Sequence, residues 1–266
     1  MAYYFFDTLL PPLALDREPQ LRWSQFCDLA QQNLDRGDWK QFCALRTWID
    51  LQNLRPLWQG QPLQPFGNLD EDGLRTALAT GDGLPSMVQD YLMEVRDPKE
   101  RLDRLPELLS GYLESLALHG TGFLQWMGDF ERRVRLVLVA LRARARDLDL
   151  AVAFQFEDPR EPFVAFLVAQ QHGDRLMLPL GFEEIGLLWD RYQGDALQLA
   201  DGLLRFRFQA IEETFRDRRF TIAHILGYAE RLVLLEQRAG GDAEMAQQQM
   251  QIWLQQAPIA NKQLSR

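Results

Sequence analysis

One stretch of thirty residues, 121–150, constrains the fold more than any other part of the chain. It contains no proline, and its two glycines, Gly122 and Gly128, lie near its start. Placing successive residues about 100° apart collects apolar side chains on one side of a helix. They are Phe123, Met127, Phe130, Val134, Val137, Leu141 and Ala145, with Leu138 at the edge. Because Leu136 and Val139 interrupt the opposite, arginine-rich side, the pattern predicts a long central helix between two layers of neighbours.

The composition is that of a soluble globular protein large enough for one sizeable domain, with 266 residues, 47% hydrophobic and 25% charged. A net charge of −9 argues against a nucleic-acid surface. The N-terminus lacks a basic region and is broken by Pro11 and Pro12, so no signal peptide is expected. No apolar run approaches the roughly 18 residues of a membrane span, and Cys27 and Cys43 form no disulfide or metal pattern. We therefore expect a cytoplasmic protein with reduced thiols.

Helical spacing of apolar residues, bounded by caps, prolines and glycines, predicts an all-α fold. The clearest helix start is Asp97-Pro98-Lys99-Glu100, with Asp at the N-cap, Pro at N1 and Glu at N3. Ser24 is a candidate cap for the helix at Trp23, and Gly37 is expected to close that helix. A short strand is plausible at 151–156, and Pro106 is expected to reset the helix around it. The helices are predicted near 23–34, 39–58, 70–79, 85–95, 98–119, 121–150, 162–172, 182–193, 195–215, 221–238 and 242–256.

Residue patterns of catalysis and cofactor binding are weak in this sequence. His119 and His172 each precede a glycine at a predicted helix end, and His224 stands alone in a first turn. The glycine-rich loops TGDGLP and HGTGF lack the Lys-Ser/Thr of a phosphate-binding loop. Adjacent acids such as Glu183-Glu184 diverge by about 100° on a helix. We therefore expect no cofactor, no metal site and no enzymatic activity, although acids from distant segments could still converge.

A faint repeat places an acid before an aliphatic–Arg pair. Asp50 precedes Leu54-Arg55, and Glu131 precedes Val134-Arg135. A looser third copy runs from Glu230 through Glu236 to Arg238. We interpret the chain as a single helical domain, 1–266, with approximate repeats 1–95, 96–180 and 181–266. The alternative is three independent amphipathic helices, since acid–base pairs at i,i+4 favour any exposed helix.

At these residues the chain resembles a known group of proteins. The quoted stretches are YYFFDTLLPPLALD, IDLQNLRPLWQG with PFGNLDEDGLRTALATGDGLP, FERRVRLVLVALRAR and FTIAHILGYAERLVLLEQR. In order, they resemble an uncharacterised bacterial family encoded among the subunits of V-type (vacuolar/archaeal-type) ATPases. That family is similar to the ring-to-shaft coupling subunit named C in the archaeal-type enzyme and d in eukaryotes. The pattern D-x-x-N-L-R (Asp50, Asn53, Leu54, Arg55) and a T-I-x-x-I-x-x-Y run (Thr221, Ile222, Ile225, Tyr228) resemble patterns of those C/d-type proteins.

The resemblance implies a non-catalytic, all-helical funnel of three similar bundles. It would sit on the cytoplasmic face of the membrane rotor ring and receive the foot of the central shaft, touching the membrane only through that complex. The chain departs from the C/d-type proteins in its shorter length and its poorer repeat, since Val134 replaces an expected Leu. An assembly factor or adaptor for the same ATPase is the alternative, and a helical enzyme with converging carboxylates is an alternative of another class.

Eight polar residues are candidates for contacts between repeats or with the shaft. They are Asp50, Asn53, Arg55, Glu131, Arg135, Arg142, Glu230 and Glu236. The competing interpretation makes them exposed charges, with Glu131 and Arg135 as an i,i+4 pair. A deep pocket lined by several carboxylates with a bound metal would favour the enzyme. A broad funnel without a buried titratable cluster would favour the coupling role.

Overall fold

The computed structural model describes residues 3–173 and 175–239, which form twelve α-helices and no β-strand. The predicted all-α class is confirmed. The helix predicted at 242–256 lies outside the described residues. The first six helices are α1 (Tyr4–Leu9), α2 (Trp23–Asn33), α3 (Arg36–Gln59), α4 (Glu71–Thr80), α5 (Ser86–Glu94) and α6 (Pro98–His119). The next six are α7 (Phe123–Ala145), α8 (Leu150–Ala153), α9 (Pro162–Val168), α10 (Glu183–Tyr192), α11 (Ala196–Phe215) and α12 (Ile222–Ala239).

Helix starts follow the side-chain caps in the sequence. Asp97 caps α6 by accepting from the Glu100 amide, and Asp70 caps α4 by accepting from the Gly73 amide. Two boundary predictions are wrong. Ser24 does not cap α2, whose first turn is closed by the Gln25 side chain accepting from the Arg22 amide. Gly37 does not close α2 either, because Asp35 caps α3 and draws Gly37 into its first turn.

The central helix is present as α7, but it ends at Ala145 rather than near residue 150. Asp147 adopts a left-handed backbone (φ 52°), and the Leu148 amide donates to the Ala143 carbonyl at 2.8 Å. This is the hydrogen-bond pattern of a Schellman termination, here with Asp where Gly is usual. Asp149 then caps a new turn through the Ala151 amide. The strand suggested at 151–156 is therefore wrong, since that segment begins in α8.

Pro106 lies inside α6 without ending it, contrary to the expected reset. A proline has no N–H, so the carbonyl four residues earlier loses its helical donor. That carbonyl belongs to Leu102, and it accepts instead from the Arg55 Nη2 atom of α3 at 3.2 Å. The side chain of one helix thus replaces a backbone hydrogen bond of another.

Two apolar cores share the long helices α7 and α11. The first core combines α1 to α6 and α12 with the N-terminal part of α7, up to Met127, and the C-terminal part of α11. The second core combines α8, α9 and α10 with α7 from Val134 onward and the N-terminal part of α11. α7 is buried on most of its circumference, as predicted for a helix between two layers.

α6 and α7 pack antiparallel along most of their length. They approach closely at Gly128, where an added Cβ would lie 2.5 Å from the Leu113 carbonyl oxygen and 2.7 Å from the Ala117 nitrogen. Only glycine permits this contact between the two backbones. None of the helices in the described part of the chain is long and apolar enough to cross a membrane.

Candidate functional site

Most of the eight candidate residues lie inside the protein. Asp50, Arg55, Glu131, Arg135 and Arg142 each expose no more than 8% of their surface. Their interpretation as solvated surface charges is wrong. Burial of an ionised group is costly unless it is hydrogen-bonded or paired, so the partners of each residue determine what it does.

Asp50 and Asn53 hold the loop 60–69 against α3. The Asp50 carboxylate accepts from the Leu69 amide at 3.1 Å and from the Asn68 side-chain amide at 2.9 Å. Asn53 exchanges two hydrogen bonds with the Gln64 backbone, at 2.9 and 3.0 Å. Burial raises the pKa of Asp50, while these donors lower it. Asp50 and Asn53 of the D-x-x-N-L-R pattern therefore fix the loop, while Arg55 of the same pattern bonds to the Leu102 carbonyl of α6.

The remaining candidates lie apart from one another. Glu236 on α12 accepts from the Trp23 amide at the start of α2. Arg142 lies near the end of α7, where burial and the neighbouring Arg146 lower its pKa to about 10. The Arg142 Nη1 atom is buried and has no hydrogen-bond partner within the described ranges. Sequence spacing placed these residues in one set, but folding separates them.

Glu131 is the centre of a group of buried charges. Arg207 of α11 donates through Nε to both of its carboxylate oxygens, at 2.8 and 3.1 Å. The pair lies at the boundary between the cores, since Met127 and Leu204 belong to the first and Val134 and Leu203 to the second. Glu131 thus bonds to a second helix, and it also lies near Arg135 of its own helix.

Two further arginines of α7 extend this group toward α6. Arg132 Nη2 lies 2.7 Å from Glu157, which also accepts from the Ser110 hydroxyl of α6. Arg135 Nη2 donates to the Pro106 carbonyl of α6 at 3.2 Å. We call the whole group the ionic seam. Its members are Glu131, Arg132, Arg135, Glu157, Arg207 and Glu230, and they lie on α7, α11, α12 and the segment after α8.

Glu230 of α12 is the member of the ionic seam whose ionised form is strongly disfavoured. Burial raises its pKa from 4.5 to about 8, the Glu131 carboxylate raises it further, and Arg207 opposes the change. Its Oε2 atom is buried without a hydrogen-bond partner among the residues described. Burial also lowers the pKa of Arg135 to about 10, although the nearby Glu157 and Glu131 favour its charge. Burial therefore disfavours the charged forms of these side chains in the seam, and the Glu230 carboxyl group is mostly protonated at physiological pH.

A small cavity borders the seam between α6, α7 and α8. Its volume is about 20 Å³, enough for about one water molecule. Pro106, Arg135, Val139, Phe156 and Glu157 are among its lining residues. Within 3–173 and 175–239, no three His, Cys, Asp or Glu side chains are grouped to hold a metal ion, and both cysteines are free. The seam itself is a buried titratable cluster, which differs from the expectation for a coupling role.

Sequence reasoning missed Arg207, Glu157 and Ser110. Arg207 carried a usable signal, because Leu203 and Ile211 lie four residues before and after it on the apolar face of α11. A charged residue on such a face needs a buried partner. Glu157 follows a short helix that the sequence did not predict, so its position could not be inferred. His224, expected to stand alone, has its Nε2 atom 3.1 Å from the buried Asp7 carboxylate.

Comparison with known proteins places most of the chain in one family. Residues 1–251 match a family described as "Protein of unknown function (DUF2764)". An uncharacterised protein of Chlamydia muridarum is 26% identical over 230 residues, which cover 84% of this chain and 86% of the relative. An uncharacterised protein of Chlamydia trachomatis is 25% identical over 229 residues, with the same two coverages. No solved structure matches the chain significantly.

Removing one partner of the central ion pair should destabilise the fold strongly. Arg207→Met leaves the Glu131 carboxylate buried without its guanidinium, and we expect a loss of about 3–5 kcal/mol in the free energy of unfolding. The double variant Glu131→Leu/Arg207→Met should lose less than the sum of the single losses, since neither charge remains. Urea unfolding measures the free energy of unfolding of Arg207→Met, of Glu131→Leu and of the double variant. Arg75→Met, at an exposed ion pair, is the control and should stay close to the original stability. Additive single losses would contradict a direct pairing.

Glu230 should make stability depend on pH. Because its folded pKa of about 8 exceeds its ordinary 4.5, the folded state keeps a proton that the unfolded state loses between these values. The contribution of Glu230 to the free energy of unfolding is therefore complete below pH 4.5 and falls as the pH rises toward 8. Glu230→Gln should gain stability relative to the unchanged chain from pH 5 to pH 8, measured by urea unfolding. Exposed Glu213→Gln is the control, and parallel profiles for both variants would contradict the assignment.

Proposed function

The chain belongs to the DUF2764 family, and from this premise we propose that it is a non-catalytic coupling subunit of a V-type ATPase. In this role it links the membrane rotor ring to the central shaft from the cytoplasmic side. The proposal starts from the resemblance of the Asp50–Arg55 and Thr221–Tyr228 patterns to the C/d-type proteins of that enzyme. The pseudo-threefold repeat and the funnel shape belong to the same resemblance and stay predictions.

One observation supports the proposal: the ionic seam joins α7 to α11 and to α6 by specific polar contacts, although a buried titratable cluster was not expected of an open funnel. Glu131 on α7 is held by Arg207 on α11, while Arg135 on α7 is held by a carbonyl of α6. A protein that couples ring to shaft has to transmit torque between two partners without changing its own shape. Close-packed interiors transmit strain, and charge-assisted hydrogen bonds fix the geometry of the helices that they join. The ionic seam supplies such hydrogen bonds at the boundary between the two cores of the protein.

The helical enzyme has one observation in its favour. The carboxylates of Glu131 and Glu230 come from different helices, and the first raises the pKa of the second. A general acid with a raised pKa is a common catalytic device. The cavity beside the seam is lined by Glu157 and holds about one water, so it fits a bound water rather than a substrate. This cavity therefore adds no support to the helical enzyme, and we retain the coupling role on the resemblance of the Asp50–Arg55 and Thr221–Tyr228 patterns.

A tagged chain recovered from gently solubilised native membranes tests the proposal. We expect the rotor-ring and shaft subunits of the ATPase to co-purify in fixed proportion to the tagged chain, because a coupling protein stays in the complete rotor. Quantitative mass spectrometry of the eluted complex gives the proportions. Recovery with partial assemblies alone would assign the chain to the assembly factor. Recovery of no ATPase subunits would contradict both.

A further inference from the structure

Arg142, near the end of α7, differs from the other arginines that are buried within the described ranges. Arg55 and Arg135 donate to backbone carbonyls of α6, and Arg207 donates to a carboxylate of α7. Arg142 is only 8% exposed, yet within 3–173 and 175–239 its guanidinium forms no hydrogen bond and no ion pair. Because a buried charge is costly without a partner, Arg142 requires an anion that the described residues do not supply.

One edge of the Arg142 guanidinium remains open. Its Nη1 atom is covered, whereas its Nε and Nη2 atoms are not fully covered and have no hydrogen-bond partner in the described part of the chain. In an arginine, Nε and Nη2 donate side by side, and two parallel N–H groups match two oxygens of a carboxylate or a phosphate. The open edge is therefore the edge of the guanidinium that binds an oxyanion at two points.

Arg146 brings a second positive charge to the same end of α7. It follows Arg142 by four residues, the spacing at which side chains of a helix are neighbours and like charges repel. Burial and then the charge of Arg146 lower the pKa of Arg142. Arg146 itself is exposed, so the pair of arginines borders the solvent. A bound anion would offset both the burial of Arg142 and its repulsion from Arg146.

The acids that follow α7 do not balance Arg142. Asp147 and Asp149 come next in the chain, but neither forms an ion pair with Arg142 in the described structure, and Asp149 caps α8 through the Ala151 amide at 2.8 Å. Arg146 is the one charged group that shifts the pKa of Arg142, and it shifts this pKa downward. The C-terminal end of a helix favours cations, but this field supplies no acceptor for the N–H groups of the guanidinium.

We propose that Arg142 and Arg146 bind one oxyanion group, a phosphate or a carboxylate, at the C-terminal end of α7. Two oxygens of the anion accept from Nε and Nη2 of Arg142, and Arg146 adds its charge from the solvent side. Because the whole chain has a net charge of −9, attraction of an anion is local to these two arginines. A single small oxyanion fits this arrangement better than a polyanion. The inference goes beyond the coupling role and does not depend on it.

Thermal unfolding of the purified full-length chain in inorganic phosphate, in acetate and in chloride of equal ionic strength tests the site. Phosphate or acetate at about 20 mM, roughly ten times its dissociation constant, should raise Tm over chloride by about 3 °C. Arg142→Met should lose this rise, because it removes the fork of donors. Arg36→Met removes an exposed arginine elsewhere and should keep the rise. In chloride, Arg142→Met should fold at least as stably as the unchanged chain, since an unpaired buried charge is gone.

Equilibrium dialysis with radiolabelled phosphate and acetate measures the binding directly. We expect a single saturable site in the unchanged chain and about ten-fold weaker binding by Arg142→Lys, which keeps the charge but lacks the fork. Saturation by phosphate alone assigns the site to a phosphate group, and saturation by acetate assigns it to a carboxylate.

Two outcomes would overturn the proposal. An equal rise in Tm for Arg142→Met and the unchanged chain would show a general effect of the salt on the folded state. Saturable binding of neither anion by the unchanged chain would show that solvent alone satisfies Arg142. Both outcomes leave the proposed function standing, because recovery of ATPase subunits tests that function separately.

Discussion

The contact between Glu131 and Arg207 sets the arrangement of the rest of the structure. Both residues lie on helices that pass from one core into the other, and they meet at the boundary. The apolar residues on either side interdigitate and set the spacing of the helices, and the ion pair adds a directional contact to that packing. A guanidinium that donates to two carboxylate oxygens is satisfied in one register of α7 against α11. Such buried pairs add little net stability over an apolar pair, so we propose that this pair chiefly specifies the register of α7 against α11.

Two further arginines of α7 also bond to neighbouring segments of the chain. The helical wheel collected its arginines on one side of a helix between two layers, and the structure buries Arg135 and Arg142 while the Asp129–Arg133 pair stays partly exposed. Arg132 and Arg135 reach Glu157 and the Pro106 carbonyl, so α6 is tied to the same helix. Gly128 lets the two backbones approach one helical turn earlier. The polar and the close-packed contacts of α7 therefore act on the same pair of helices, and the short second core is held through α7 and α11.

Local signals in the sequence predicted most of the long helices, but they missed α8 and did not identify the partners of the buried charges. Asp97, Asp70 and Asp195 start helices because each side chain accepts from an amide two or three residues into its helix, a requirement that involves only near neighbours. The end of α7 was misplaced because Asp147, rather than a glycine, adopts the left-handed conformation. Partners such as Arg207 for Glu131 are 76 residues apart, and no local pattern specifies which helix meets which. The loop-holding role of Asn53 was hidden for the same reason, since it depends on where Gln64 returns.

The ionic seam, on this view, makes one cooperative body of the two cores. Native-state hydrogen exchange along α7 and α11 tests this most directly, because each helix contributes amides to both cores. We predict the same opening free energy for amides near Met127 and near Val137, equal to the global free energy of unfolding. We also predict that Arg207→Met lowers the second-core value more than the first-core value. Independent exchange of the second core at a much lower free energy in the unchanged protein would contradict the cooperative role of the seam.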